Sequence, residues 1–232
     1  MKKSNYKFIG ITALFALLTL ASCDNDDPSP IDNTTNVVIE NLSNGVMNGT
    51  LEEDFTLNSS TNYVLSGSFI VSDGVTLTIP AGSQIVADNG GTDVYIAVLK
   101  GGKININGTD SNPVVMSSVN AEPGDWGGLT LCGKATTTAG IDAEAEVGGF
   151  IYGGSDDTDS SGTIKNLVII GTGAQINLDS QYNGVSFYAV GSGTTVENVA
   201  VINGSDDGVE FFGGTVSVKN LYLENNEDDA ID

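Results

Sequence analysis

Short runs rich in β-branched and other apolar residues, several of which alternate with polar residues, fill the chain from about residue 63 onward. Examples are Val75–Ile79, Ile104–Ile106, Leu167–Ile170 and Val216–Val218, and glycine, asparagine, aspartate and serine separate the runs. A period of two residues with many β-branched side chains predicts strands. No segment after residue 22 sustains a period of 3.6 residues, so the folded part is predicted to be nearly all β.

The strand pattern also repeats along the chain. Val196–Asn203 aligns with Val218–Asn225, and Asp206–Glu210 aligns with Asp228–Asp232, each at an offset of 22 residues. A repeat of this length corresponds to one turn of a β-helix, whose stacked coils bury alternate aliphatic residues in a continuous core. A β-sandwich, the main alternative, would not reproduce whole motifs at a fixed offset. We therefore predict an all-β fold, a right-handed parallel β-helix with coils of about 22 residues over residues 63–232.

Asparagines recur at one position of this repeat. Asn166, Asn198 and Asn220 each follow a β-branched residue by two positions and precede an aliphatic run. Stacked coils would place the three side chains above one another at a bend, and we expect an inward-facing asparagine ladder there.

The first residues form a different kind of segment. Three lysines precede the apolar run Phe8–Leu20, which is too short for a permanent membrane span and suits an export signal. Leu20–Cys23 resembles the bacterial lipobox, in which the cysteine receives acyl chains such as palmitate and cleavage occurs before it. Residues 1–22 are thus predicted to be a lipoprotein signal peptide, and Cys23 the lipidation site that anchors the chain to a membrane.

Residues 23–36 are acidic and contain two prolines, so we predict a solvated tether. An acidic cluster directly behind the cysteine resembles the surface-export signal of Bacteroidetes lipoproteins. The expected location is the outer membrane, facing the cell surface, with the periplasmic face as the alternative. Residues 37–62 are less regular and are predicted to contain the cap that protects the first strand edge of a β-helix.

Charge and composition exclude several functions. Removal of residues 1–22 leaves five lysines against 30 acidic residues, a formal charge of −25. Such a surface repels phosphate backbones, so nucleic acid is excluded as an expected partner. The chain has no histidine and no arginine, which excludes a Ser-His-Asp triad and a histidine zinc site within it. Cys132 would be the one free thiol, and its apolar neighbours predict a buried side chain.

Acidic residues form three clusters: Asp156, Asp157 and Asp159; Asp206, Asp207 and Glu210; and Asp228, Asp229 and Asp232. The repeat superposes the second and third clusters, about 4.8 Å apart between coils. Like charges at that distance are unfavourable unless they are protonated, solvated or bridged by a cation. We therefore predict possible calcium sites at the Asp156 cluster and at the combined cluster of Asp206, Glu210, Asp228 and Asp232. The alternative is that these aspartates are solvated turn residues.

Several motifs together resemble Bacteroidetes right-handed parallel β-helix lipoproteins, a largely uncharacterised family with a pectate-lyase-like fold. These motifs are Gly67–Val71, Leu77–Gly82, Gly124–Leu129, Tyr152–Asp156 and Asp206–Gly214. The resemblance covers roughly residues 60–232 and implies the same fold and anchoring. Because Asp232 falls within a strand of this pattern, we expect further coils and a cap to follow it in the natural protein.

Two function classes fit such a surface. Aspartates on adjacent coils resemble the acid and base of polygalacturonase-like glycosidases, which implicates Asp206, Asp207, Asp228 and Asp229 if the protein is an enzyme. Those enzymes also use a downstream histidine and a basic residue, and both are missing here. A binding module needs less, and we consider Trp126, Tyr152, Tyr182 and Tyr188 as rings that stack on sugars. The prediction is a glycan-binding or adhesive module with a polysaccharide or surface protein as partner. The alternatives are a polysaccharide hydrolase or lyase and a structural spacer.

Overall fold

The computed structural model describes residues 33–178 and 180–232, so the predicted signal peptide, Cys23 and most of the predicted tether lie outside the described residues. The described part contains one helix and sixteen strands. The helix is α1 (Asn33–Ser43). The strands are β1 (Val46–Leu51), β2 (Phe55–Thr56), β3 (Asn62–Val71), β4 (Thr76–Pro80), β5 (Gln84–Ala87), β6 (Tyr95–Val98), β7 (Lys103–Asn107), β8 (Val114–Ser118), β9 (Leu129–Cys132), β10 (Ala143–Glu144), β11 (Ile151–Tyr152), β12 (Gly162–Ile170), β13 (Val185–Val190), β14 (Thr195–Ile202), β15 (Val209–Gly214) and β16 (Ser217–Glu224).

Parallel pairing between coils makes the fold a β-helix, as the repeat predicts. Every described strand pair is parallel except the short β10–β11 hairpin. The strands form three stacks, and each stack carries a ladder of inward-facing residues in register. The ladders are Ile79, Ile106, Ile164, Val196 and Val218; Ile85, Met116, Ile169, Val201 and Leu223; and Phe69, Ile96, Leu129, Val185 and Val209.

These ladders form one core along the axis of the solenoid. Ile79, Ile96 and Ile169 are fully buried. Residues between the ladder positions point outward, which explains the alternating pattern in the sequence. Because each buried aliphatic side chain contributes about 1.5–3 kcal/mol, this continuous core accounts for stability without a disulfide.

The predicted coil length of about 22 residues is correct only for some coils. Val196 pairs with Val218, which confirms the offset of 22, but Ile106 pairs with Ile164 and Leu129 pairs with Val185. The longer intervals arise because loops are inserted between strands. The largest insertion runs from residue 133 to residue 161 and contains the β10–β11 hairpin, so stacked strands keep their register while the connection between them lengthens.

The helix α1 was not predicted from the sequence. It begins at Asn33, inside the range assigned to the tether, and ends at Ser43, inside the range assigned to the cap. Val38 and Leu42 are buried and belong to the same core as Met47 of β1. Two apolar positions four residues apart are too few to establish a helical period in the sequence. No helix in the described ranges has the length and apolar character needed to cross a membrane.

The asparagine ladder exists, but it lies on the outside of the solenoid. The Asn198 side-chain amide donates to Asn166 at 3.0 Å, and the Asn220 amide donates to Asn198 at 2.8 Å. All three residues have a positive φ of 50–60°, a backbone conformation that asparagine tolerates better than most residues. The bend therefore turns these side chains away from the core, and the predicted inward orientation is wrong.

Candidate functional site

Two successive coils contain turns with similar sequences, one just before β15 and the other just after β16. The Asp229 amide donates to the Asp207 carboxylate at 2.9 Å, and the Gly208 amide donates to the Asp229 carbonyl at 3.0 Å. Val209 and Ile231 pair in parallel one coil apart. These contacts stack the second predicted acidic cluster on the third, as the offset of 22 residues predicts.

The stacked turns form an acidic cleft of about 280 Å³. Its lining residues are Glu146, Leu178, Ser180, Gln181, Asp206, Asp207, Glu210, Asp228, Asp229 and Asp232. Within the cleft, carboxylate oxygens of Asp206, Asp207 and Asp228 lie within 4.8 Å of one another. The same holds for Asp207, Glu210 and Asp232, so Asp207 belongs to both groups.

Burial and mutual repulsion shift the acid–base equilibria of these carboxylates. Burial, with the charges of Asp207 and Asp228, raises the pKa of Asp206 from 3.8 to about 6. Burial also raises the pKa of Glu210 from 4.5 to about 7, although the Asn183 amide donates to its carboxylate at 2.6 Å. The pKa values of Asp207 and Glu146 are raised as well, chiefly by burial. The cleft therefore holds its negative charge at a cost in free energy.

None of the described residues that line this cleft is a lysine. Three of the described lysines pair with acidic residues elsewhere: Lys100 with Asp142, Lys134 with Asp73, and Lys165 with Glu197. The charge of the cleft is thus left to solvent, to protons or to a bound cation. Two groups of three oxygen ligands that share one aspartate suit the loose oxygen coordination of calcium.

The first predicted acidic cluster has a different role. The Asp157 carboxylate accepts hydrogen bonds from the Thr136 amide and hydroxyl, and the hydrogen bonds lower the pKa of Asp157. The Asp159 carboxylate accepts from the Lys134 amide at 2.8 Å, and the Asp156 carboxylate accepts from the amide and hydroxyl of Thr158. Asp157 and Asp159 thus hold the segment from Lys134 to Thr136, while Asp156 closes a turn onto Thr158. Among the described residues, the acidic groups whose oxygens lie within 4.8 Å of one another do not include these three, so their contacts fasten the inserted loop, and calcium at this cluster stays a prediction.

The four aromatic residues considered for sugar stacking are all buried. Trp126 is fully buried, and its indole N–H donates to the Ile170 carbonyl at 2.9 Å. Tyr152, Tyr182 and Tyr188 are at most 6% exposed and belong to a second apolar cluster outside the axial core. Their burial does not favour stacking on a sugar, and that role stays a prediction. The glycine-rich sequence around Trp126 is compatible with a ring that faces the core and with one that faces solvent.

The sequence did not single out Glu146 as part of the site. Glu146 lies in the insertion, just after β10, and lines the cleft although it is about 60 residues before the stacked turns in the sequence. The repeat could not reveal this contact because the insertion has no counterpart in the neighbouring coils. Asp206, Asp207, Asp228 and Asp229, the residues considered for catalysis, all line the cleft.

Comparison with known proteins agrees with the architecture. Residues 49–232 match the family model described as a pectate-lyase-like β-helix domain. No curated protein and no solved structure matches the chain. The match spans well over half of the chain and covers both the stacked strands and the acidic cleft, so the chain belongs to the pectate-lyase-like β-helix family.

Proposed function

We propose that this chain is a lipid-anchored, outward-facing β-helix module that binds polysaccharide, and that its acidic cleft holds calcium as the link to the glycan. The observation that carries the proposal is the convergence of carboxylate oxygens from Asp206, Asp207 and Asp228 within 4.8 Å, in a cleft whose described lining contains no lysine. Calcium would offset the burial and the mutual repulsion that together raise the pKa values of Asp206 and Asp207. It would also leave coordination positions for sugar oxygens.

The donor set suits a hard cation. Among the described lining residues all the charged groups are carboxylates, and the hydroxyl of Ser180 and the amide of Gln181 add neutral oxygens to the wall of the cleft. Calcium takes six to eight such oxygens in flexible geometry, whereas magnesium demands a smaller and more regular cage. A glycan whose carboxylates or hydroxyls complete the coordination would bind only while the cation is present.

The anchoring part of the proposal rests on Cys23 and the segment around it. A lysine-containing start, an apolar run and Leu20–Cys23 support export and acylation, and the acidic residues after Cys23 support the outer face of the outer membrane. Labelling with a palmitate analogue tests this part: label should enter the wild-type chain and not a Cys23→Ala variant. Protease treatment of intact cells distinguishes the outer face from the periplasmic face.

Hydrolysis is the second candidate function, and the unequal carboxylates favour it. Asp206 and Glu210 have pKa values raised to about 6 and about 7, as a general acid requires, and other carboxylates lie beside them. However, the oxygens of Asp206, Asp207 and Asp228 lie within 4.8 Å of one another, whereas inverting glycosidases separate their carboxyl groups by roughly 6.5–9.5 Å to admit water. This spacing does not fit the inverting geometry and is close to the roughly 5–5.5 Å of retaining enzymes. Three carboxylates that converge on one point, rather than two that face each other across a sugar, favour a shared cation.

A panel of polysaccharides separates these functions. The chain is applied to immobilised glycans with calcium and with a chelator, while the release of new reducing or unsaturated ends is recorded. We expect acidic glycans to be retained only in the presence of calcium, and no glycan to be cleaved. Cleavage would support the hydrolase or lyase instead. The absence of both would refute the glycan proposal and leave adhesion to a surface protein or a spacer role.

A further inference from the structure

A partly exposed aromatic ring lies beside the acidic cleft. Tyr95, at the start of β6, is partly exposed, and its ring stacks on that of Tyr182 with centroids 5.3 Å apart and planes 22° apart. Phe150 contacts the Tyr95 ring edge-on at 5.9 Å. Tyr182 and Phe150 are 2% and 8% exposed, so Tyr95 is the ring of this group that offers a surface to solvent, held rigid from behind.

Polar groups surround this ring in a pocket of about 330 Å³, which we call the tyrosine pocket. Besides Tyr95 and Tyr182, its lining includes Ser68, Thr92, Asp93 and Gly148. The pocket thus combines an aromatic face with two hydroxyls and a carboxylate. Pyranose sugars offer the same combination, since their C–H face packs on aromatic rings while their hydroxyls form hydrogen bonds at the rim.

The glycine-rich motif Gly124–Leu129 makes the aromatic stack possible. A Cβ at Gly127 would lie 2.9 Å from the Tyr95 Cβ and 3.0 Å from the Tyr182 Cγ, closer than side chains tolerate. Trp126, which precedes it, is fully buried and bonded to the Ile170 carbonyl, so it fixes the backbone at this point. The motif therefore has a specific consequence: it brings two tyrosine rings from different coils into contact.

The tyrosine pocket adjoins the acidic cleft. Gln181 lines the cleft and the next residue, Tyr182, lines the pocket. Glu146 lines the cleft, and Gly148, two residues later, lines the pocket. A chain-like ligand that is held at the cleft can therefore continue into the pocket. The Asp93 carboxylate would repel an acidic sugar and accept hydrogen bonds from the hydroxyls of a neutral one.

We propose that the tyrosine pocket is a subsite for a neutral pyranose unit, with the ring of Tyr95 as its stacking platform. The inference rests on the proposed function, because it names where and how a glycan is held. It differs in chemistry from the acidic cleft, since the pocket needs no cation. Binding of neutral sugar at Tyr95 is therefore expected to persist when calcium is removed.

Affinity electrophoresis of the full chain through gels that contain neutral or acidic polysaccharides tests this subsite. We expect a neutral polysaccharide to retard the wild-type chain with or without calcium, and Tyr95→Ala to weaken this retardation about tenfold. Tyr95→Phe should keep most of it, because the ring remains. Tyr222→Ala is the matched control, since Tyr222 is 57% exposed and lines a different groove.

Two further variants guard against a Tyr95→Ala chain that fails to fold. Gly127→Ala keeps every aromatic residue but crowds the stack, and Asp93→Asn changes only an exposed rim group; each should reduce retardation by neutral polysaccharide. Equal retardation of these variants and the wild type would overturn the subsite, and so would a wild-type chain that no neutral polysaccharide retards. If neutral polysaccharides retard the wild-type chain but acidic polysaccharides do not retard it even with calcium, the result would instead count against the proposed function.

Discussion

Replacing Glu210 by glutamine should stabilise the protein at neutral and alkaline pH in the absence of calcium. The increase of the Glu210 pKa from 4.5 to about 7 means that the folded state holds a proton over a pH range in which the unfolded state has lost it. Stability must therefore fall as the pH rises through this range. Glutamine carries no charge at any pH, and its carbonyl can still accept the hydrogen bond from Asn183.

The size of the effect follows from the size of the shift. At 1.36 kcal/mol per pKa unit, the full increase would correspond to about 3.4 kcal/mol. Glu210 is partly exposed and solvent screens its charge, so we expect about 1–2 kcal/mol in the free energy of unfolding at pH 8. At pH 4 the two proteins should differ little, because the glutamate is then protonated in the folded state.

Urea unfolding at pH 4, 6 and 8 with a chelator measures this difference directly. Glu227→Gln is the matched control, because Glu227 is an exposed residue of the neighbouring turn and does not line the cleft. Glu210→Gln should gain stability relative to wild type as the pH rises, and Glu227→Gln should not. A Glu210→Gln protein that is equally stable or less stable than wild type at pH 8 would refute the electrostatic account of the cleft.

Three other substitutions or reagents test the rest of the structure. Trp126→Phe should lower the free energy of unfolding by about 1–3 kcal/mol, because it leaves the Ile170 carbonyl without its buried donor. Urea unfolding measures this loss, and an unchanged midpoint would contradict the hydrogen bond from the Trp126 indole to Ile170. Asn198→Ala should lower the free energy of unfolding by about 2 kcal/mol, because it breaks the asparagine ladder and places alanine at a φ of 57°. Asn198→Gly should lower it by about half as much in the same assay, because glycine adopts this φ without strain. The Cys132 thiol is buried and burial raises its pKa to about 12, so a thiol reagent should modify it only in denaturant; rapid modification of the folded chain would show that it is accessible.

The repeat in the sequence was sufficient to predict the β-helix. Val196 and Val218 occupy the same position in successive coils, because parallel stacking places equivalent residues in register. The sequence keeps this spacing where no loop is inserted between the coils. The inserted loops break the spacing, so the pairing of Leu129 with Val185 could not be read from a fixed period. The helix α1 was missed because its packing against β1, rather than a strong helical pattern, stabilises it.

The candidate site was predictable only where it is built from repeated turns. Asp206 and Asp228 stack because the coil period superposes them, and the offset alone foretold their proximity. Glu146 and Tyr95 could not be found in this way, since one lies in an insertion and the other owes its partner to the missing side chain of Gly127. The burial of the four aromatic residues could not be predicted because the sequence does not state which side of a glycine-rich bend faces the core. Trp126 is the clearest case.

Titration calorimetry of calcium into the chelator-treated chain tests the central claim most directly, with the wild type compared with Asp206→Asn and with Asp157→Asn. The account predicts saturable binding by the wild type, strong loss in Asp206→Asn, and no loss in Asp157→Asn, whose carboxylate is committed to Thr136. Equal calcium binding by the wild type and Asp206→Asn, or no binding by the wild type, would contradict it.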